Sequence, residues 1–289
     1  MKIVARLKKI TEIEKLINLK VDCFLVDTPL SVRALNKDLF NDLDEIIGFG
    51  KDVYILMNKM IHEEDIPLVK QLLKTVKDKK ISGIVVGDIT MMILADEEGL
   101  KEKIIYQPGT MNTNSFDNEY FFMKQIKGIT ISKEITLEEI KKIFTNKKCE
   151  LSLVGHGYLD MFYSKRKLIT NYFIFKNVVK EKIKNNDKFR IKEEMRPDSF
   201  YPILEDESGT HIFRDKALSS FDEIEVLRTG LDDFFIERIF MDDEEYYDSI
   251  RAYQNQNFVN EFLSKYEKHY NKGFYYQYTE KLKGELNEN

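Results

Sequence analysis

The chain has 289 residues, 43% of them apolar, enough to bury the core of one large α/β domain or two smaller ones. Its 45 basic and 50 acidic side chains leave a net charge of −5, so no global basic field draws it to nucleic acid and any RNA contact has to be a local patch. Two cysteines, Cys23 and Cys149, exclude a disulfide framework or a four-cysteine metal site supplied by this chain alone, and no apolar run approaches the ~20 residues of a membrane span.

Both cysteines sit in apolar strand-like runs and read as buried, reduced thiols of a cytoplasmic protein. The start, MKIVARLKKI, reads as a strand followed by a lysine pair and not as a signal peptide. Short β-rich runs then alternate with helical patterns: strands are expected at Lys2-Leu7, Asp22-Asp27, Asp52-Asn58, Gly83-Asp88, Lys103-Gln107, Gly128-Ser132 and Glu150-Gly155. Between them, apolar residues recur at three- and four-residue spacing, as in Leu39, Leu43, Ile46, Ile47 and in Ile66, Val69, Leu72, Leu73, Val76. An eighth strand is expected at Asp233-Phe240 (DFFIERIF). The architecture this predicts is a (β/α)8 TIM-like barrel, incomplete without that last run, formed by residues 1–158 and 219–245. Residues 159–218 then form a β-rich rim insertion and 246–289 a C-terminal extension carrying Tyr270 to Tyr278. Within the insertion, Phe189-Glu194 and Phe200-Glu205 alternate apolar with polar, and Arg196-Pro197-Asp198-Ser199 reads as the turn of a hairpin.

Chemistry-bearing residues concentrate between Cys149 and Phe173. A strand ends at Gly155-His156-Gly157, where two glycines free the backbone beside an imidazole, and Tyr163, Ser164, Arg166, Asn171 and Tyr172 follow. On the barrel reading Asn58, Asp88, Gln107, Glu134 and His156 each stand at the C-terminal end of a different strand, the face where barrel enzymes build their sites. Asp88 reads equally well as a helix cap. Arg166 and Arg196 offer the bidentate fork that grips a carboxylate or phosphate. His211 lies opposite Ile212 in an alternating run, and Met241-Asp242-Asp243-Glu244-Glu245 reads as a solvated helix start. No Gly-rich phosphate loop, G-x-S-x-G or H-E-x-x-H is present, and Ser164 reads first as a serine bonded within its own turn.

The pattern Glu150, His156, Gly157, Tyr163, Ser164, Arg166, Asn171, Tyr172 resembles the signature of the collagenase-like peptidases, the unassigned-mechanism family thirty-two. Further pieces of the chain resemble it: Asn58, Asp88, Gln107 to Asn114 (QPGTMNTN), Lys133-Glu134, Arg196, Tyr201-Pro202-Ile203, Asp206 to Ile212 and Asn271 to Phe274. One departure stands at Lys167, where the family carries a cysteine, and the family's further cysteines are missing here. Some members are described as peptidases, and others act in prephenate-dependent hydroxylation of RNA, including 5-hydroxyuridine at the tRNA wobble position. The resemblance implies a short, cysteine-poor form that binds no cofactor itself and has prephenate as a co-substrate of the system. It works with a longer cysteine-bearing paralogue that holds the iron–sulfur cluster, four thiolates being the usual requirement. It also implies tRNA as a partner and no membrane, and leaves a homodimer open. His156, Glu134 and Ser164 would then be catalytic. Asn58, Asp88, Gln107, Asn112, Asn114, Tyr163, Arg166, Asn171, Tyr172, Arg196 and His211 would bind substrate, and Lys165, Lys167, Lys176 and Lys180 would form the local RNA patch. The reading is thus a non-cluster subunit of a tRNA wobble-uridine hydroxylation system. The alternatives are a collagenase-like peptidase and an inert scaffold for the paralogue. Anaerobic purification followed by an iron assay is expected to find far less than one iron per chain; stoichiometric iron would refute the cysteine argument.

Overall fold

The computed structural model of the chain describes residues 1–177 and 188–277 and closes eight parallel strands into a barrel. These are β1 (Lys2–Arg6), β2 (Cys23–Asp27), β3 (Asp52–Met57), β4 (Gly83–Val86), β5 (Ile104–Tyr106), β6 (Gly128–Thr130), β7 (Glu150–Gly157) and β13 (Asp233–Ile236). Each of the first seven pairs with the next, and β13 joins β7 to β1, so no sheet edge is left in the ring. Parallel neighbours need crossovers, which α1 (Ile13–Asn18), α2 (Leu43–Gly48), α3 (Ile66–Lys77), α4 (Ile89–Glu97), α5 (Ser115–Met123) and α6 (Leu137–Thr145) supply. The stripe expected on α3 is the buried one: Val69, Leu72, Leu73 and Val76 face the barrel. No helix among the described residues is long and apolar enough to cross a membrane.

Alternation sorts the strand residues into two cores. Val4, Cys23, Leu25, Tyr54, Leu56, Val85, Ile105 and Phe235 cluster inside the ring, while Ile3, Ala5, Phe24, Val26, Val53, Ile55 and Ile84 belong to a larger outer core with the helices. Each fully buried Leu, Ile or Val contributes about 1.5–3 kcal/mol, so the two-sided burial of these strands explains their near-continuous apolar runs.

A second sheet, ordered β8 (Asp160–Ser164), β11 (Gly209–Phe213), β10 (Arg196–Asp206) and β9 (Arg190–Glu193), stands beside α7 (Leu168–Phe175). The chain then returns through β12 (Ala217–Ser219), antiparallel to β7, and α8 (Ile224–Leu227) to β13. After it come α9 (Asp243–Gln254), α10 (Val259–Tyr266) and β14 (Tyr270–Asn271), which pairs with β12.

Several boundaries differ from the sequence expectation. The last barrel strand stops at Ile236, because Glu237 to Phe240 leave the ladder and Phe240 takes a left-handed φ of 66°. The hairpin turn falls at Glu194-Met195 rather than Arg196-Ser199: Arg196 already pairs with Glu193, and the four residues before Tyr201 are absorbed as a bulge. Proline at 197 lacks a donor, which suits a bulge as well as a turn. The acidic run does start a helix, Asp242 accepting from the Glu245 amide, but Glu245 is buried against the Tyr270 hydroxyl instead of solvated. Lys180 and Tyr278 lie outside the described residues.

Strand β7 carries its own bulge. Phe235 pairs with Val154 but Ile236 pairs with His156, so Gly155 is the extra residue. A Cβ on Gly155 would stand 2.0 Å from the Phe234 ring. Gly155→Ala is therefore expected to lower stability by about 1–3 kcal/mol, as overpacking does, read from the midpoint of urea unfolding at unchanged slope.

Candidate functional site

Inside the ring, the residues two beyond the last interior apolar ones reach the C-terminal mouth: Arg6 follows Val4, Asp27 follows Leu25, Asn58 follows Leu56, Gln107 follows Ile105 and Glu237 follows Phe235. There Arg6, Asn58, Gln107 and Glu237, with Asp88, line a cavity of about 280 Å³. Arg6 is almost fully buried, and three adjacent strands hold it. Its NH2 donates to Asp27 Oδ1 at 2.7 Å and to the Arg33 carbonyl at 2.8 Å, and its NH1 reaches Glu237 Oε2 at 2.9 Å. Burial alone would lower its pKa; Asp27 and Glu237 overcome that and hold it above the ordinary value.

The loop after β2 folds over this mouth. Thr28 and Ser31 both donate to the Leu56 carbonyl, and Asn58 Oδ1 accepts from the Val32 amide at 2.9 Å. That carries Arg33, left-handed at φ 53°, to the cavity wall, a backbone state costly for a residue with a Cβ. Its amide donates to Asp206 Oδ2 at 2.7 Å, and its NH1 lies 3.4 Å from His211 Nδ1 and 3.6 Å from Asp160 Oδ2. Lys133, from the β6 end, approaches the other oxygen of Asp160 at 2.5 Å. Burial would raise the Asp160 pKa, but Arg33 and Lys133 hold it well below the usual carboxylate range. Two cations share one carboxylate at this point of the wall.

His211 is fully buried and is part of the lining. Because Arg33 can only donate, His211 Nδ1 accepts, which leaves a ring proton on Nε2, facing Ser208 Oγ at 3.1 Å and Asp206 Oδ1 at 3.4 Å. The Tyr163 ring stacks on it at 4.9 Å, anchored by a hydroxyl bond to the Ser208 carbonyl. Burial would raise the Asp206 pKa, yet bonds from His211, Ser208 and the Arg33 amide keep it well below the usual range. The second sheet is thereby tied to the barrel mouth.

Of the residues picked out by sequence, Asn58, Asp88, Gln107, Tyr163 and His211 meet at this cavity, while Glu134 and Arg196 line a neighbouring one. Asp88 doubles as the cap of α4, accepting from the Thr90 amide. The others lie elsewhere. Asn112 is buried at φ 69° and donates to the Tyr106 and Thr130 carbonyls; Asn114 caps α5. Ser164 Oγ accepts from the Arg166 amide within its turn, and the exposed Arg166, Asn171 and Tyr172 are in neither lining. His156 is the main correction. The β7 bulge puts it in register with the outward-facing Ile236, so its ring enters the outer core between Phe221, Tyr253, Phe262 and Tyr270. Its Nδ1 bonds the Tyr253 hydroxyl at 3.0 Å, its Nε2 has no partner among the described residues, and Ser164 is bonded within its own turn, so His156 and Ser164, both expected to be catalytic, do not meet.

Residues 8–288 match the model for Peptidase family U32. The chain belongs to peptidase family U32. Among curated relatives it is 28% identical to "tRNA hydroxylation protein P2" of Bacillus subtilis, over 66% of this chain and 62% of that protein. It is 26% identical to "Uncharacterized protease MJ0090" of Methanocaldococcus jannaschii over 89% of this chain and 68% of that one. It is also 22% identical to "Collagenase" of Porphyromonas gingivalis over 39% and 28% respectively. The chain thus spans less than two thirds of the first of these.

In this U32 chain, sequence reading missed Arg6, Arg33, Asp160 and Glu237 and gave Lys133, though part of a family-like piece, no role at the site. A signal existed for two of them: Arg6 in KIVAR and Glu237 in DFFIE are charges in phase with interior apolar positions. Arg33 and Asp160 sit where only the folded loops bring them together. Cys23 lies in the inner core, and Cys149 lies in the outer core with its Sγ 2.9 Å from Asn118 Nδ2, so these residues do not fit a four-thiolate cluster. Burial pushes the His156 pKa down to about 3, against the ordinary 6.5 of an unfolded chain. With the folded value depressed, the neutral ring's stability is complete above pH 6.5 and lost as pH falls toward 3. The wild type is expected to lose about 1.4 kcal/mol more per pH unit than His156→Phe between pH 6 and 4, measured by urea unfolding at each pH.

Proposed function

We propose that this chain serves tRNA hydroxylation at the wobble uridine, as a subunit without its own iron–sulfur cluster that works with a longer, cysteine-bearing partner. The observation that carries the reading is the mouth of the barrel, where Arg33 and Lys133 converge on one carboxylate beside neutral donors, taken with the likeness to a tRNA hydroxylation protein. A small carboxylic acid such as prephenate suits that wall. Arg33 and Lys133 would take its carboxylate in place of Asp160, while Asn58 and Gln107 would hydrogen-bond its neutral oxygens. His211, backed by Asp206, would hold a proton at Nε2 and fix the Arg33 side chain through Nδ1. Arg6, neutralised by two carboxylates, positions the Arg33 backbone rather than the ligand.

The peptidase reading draws on the names of two relatives. Against it, His156 and Ser164 are each committed elsewhere, so purified protein is expected to leave gelatin uncut.

Deleting the gene in its host and measuring tRNA nucleosides by mass spectrometry is the decisive experiment. Wobble 5-hydroxyuridine derivatives are expected to disappear, and alleles carrying Arg33→Gln or Lys133→Gln are expected to restore less than about a tenth of them, the loss of one charge-assisted contact. Unchanged nucleosides in a host with no redundant pathway would end this reading.

A further inference from the structure

Beside the first cavity opens a second of about 420 Å³, and Lys133, Leu159 and Asp160 belong to both walls. Its far wall carries Arg214, the residue after β11. The Arg214 guanidinium lies over the Phe274 ring, 4.3 Å from its centroid, and its NH1 is buried with no hydrogen-bond partner. Two carboxylates are close enough to be felt, Asp215 and Glu134, but burial outweighs them and the pKa of Arg214 is lowered. Asp215 is already engaged by the Ser199 hydroxyl at 3.0 Å.

An arginine has five N–H donors and no acceptor, so a buried N–H left unpaired is a standing cost that packing on a phenylalanine does not require. An oxyanion in the cavity removes that cost once the Arg214 guanidinium, whose NH1 is covered in this structure, turns toward it. Arg196 lines the same space and bonds the Tyr201 hydroxyl at 3.2 Å; its ion pair with Glu193 is exposed and cheap to exchange. Two guanidinium groups in the lining of one cavity match the several oxygens of a phosphate better than the two of a carboxylate. At about 420 Å³ the second cavity has room for more than a bare ion.

We propose that this second cavity is the phosphate subsite for a ribonucleotide of the RNA substrate, with Arg214 as the principal phosphate ligand and Arg196 closing over it. Lys133 and Asp160 then separate the nucleotide from the small acid in the first cavity. The assignment deepens the hydroxylation reading and rests on it.

The test is isothermal titration of the full chain with uridine 5′-monophosphate, uridine and inorganic phosphate. The wild type is expected to bind the monophosphate at least about tenfold more tightly than uridine, the worth of one charge-assisted contact, and more tightly than inorganic phosphate. Arg214→Gln is expected to abolish the preference over uridine with its circular dichroism unchanged. Arg214→Lys, which keeps the charge and loses the fork, is expected to retain part of it and carries the test if the glutamine variant does not fold. A wild type that binds uridine equally well, or a glutamine variant that keeps the preference, overturns the subsite; equal affinity for inorganic phosphate overturns the nucleotide assignment. Nucleoside analysis of the deletion strain keeps the two ideas apart. Unchanged tRNA alongside an Arg214-dependent preference sinks the function and leaves the subsite, and lost modification without that preference does the reverse.

Discussion

The buried guanidinium of Arg6, held between Asp27 and Glu237, is the interaction on which the upper half of the molecule depends. Its partners come from β2 and from the end of β13, so one side chain links the first strand to both its neighbours across the seam where the barrel closes. Taking such a group out of water is expensive, and an apolar replacement of the same size often serves stability as well. What an apolar residue would not do is hold the Arg33 carbonyl at 2.8 Å or leave Asp27 Oδ2 to accept from the amides of Leu35 and Asn36. Through those bonds the ion cluster shapes the loop over the mouth. What the bonds of the cluster fix is one conformation of that loop.

From that loop the order passes outward. Arg33, in a backbone state that costs energy, meets Asp206 by its amide and His211 and Asp160 by its side chain. Asp160 begins the second sheet and Asp206 and His211 close its hairpin, so the rim is tied to the barrel through charge-assisted bonds. A ligand anion that displaced Asp160 from Arg33 and Lys133 would act on the same residues that fix the rim, and its binding would be coupled to rim geometry at one carboxylate.

His156 shows how a local rule fails for a global reason. A histidine between two glycines at a strand end reads as chemistry, and by simple alternation from Val154 it would point into the mouth. One extra residue at Gly155 reverses the phase, and the ring enters an aromatic pocket made by α9, α10 and β14, all of which follow it in the chain by roughly a hundred residues. Asn112 and Asn114, for their part, are backbone fasteners. Their Asn-rich stretch advertised polar function, and it serves a left-handed turn and a helix cap.

The amino-acid sequence by itself determined the barrel and part of the candidate site at its mouth. Period-two and three-to-four-residue apolar spacing are local consequences of which faces must be buried, so the strands, the crossover helices and the strand-end positions of Asn58, Asp88 and Gln107 were all legible, and the spacing of Tyr163 and His211 marked the rim. Only the tertiary structure decided which charges meet. Arg6 with Glu237, Arg33 with Asp160 and His211, and Arg214 with Phe274 are pairs separated by tens to hundreds of residues, and one unpaired residue in β7 set which way His156 faces. Ion pairs and hydrogen bonds act over a few ångströms, and no local pattern encodes a distance that exists only once the ring has closed.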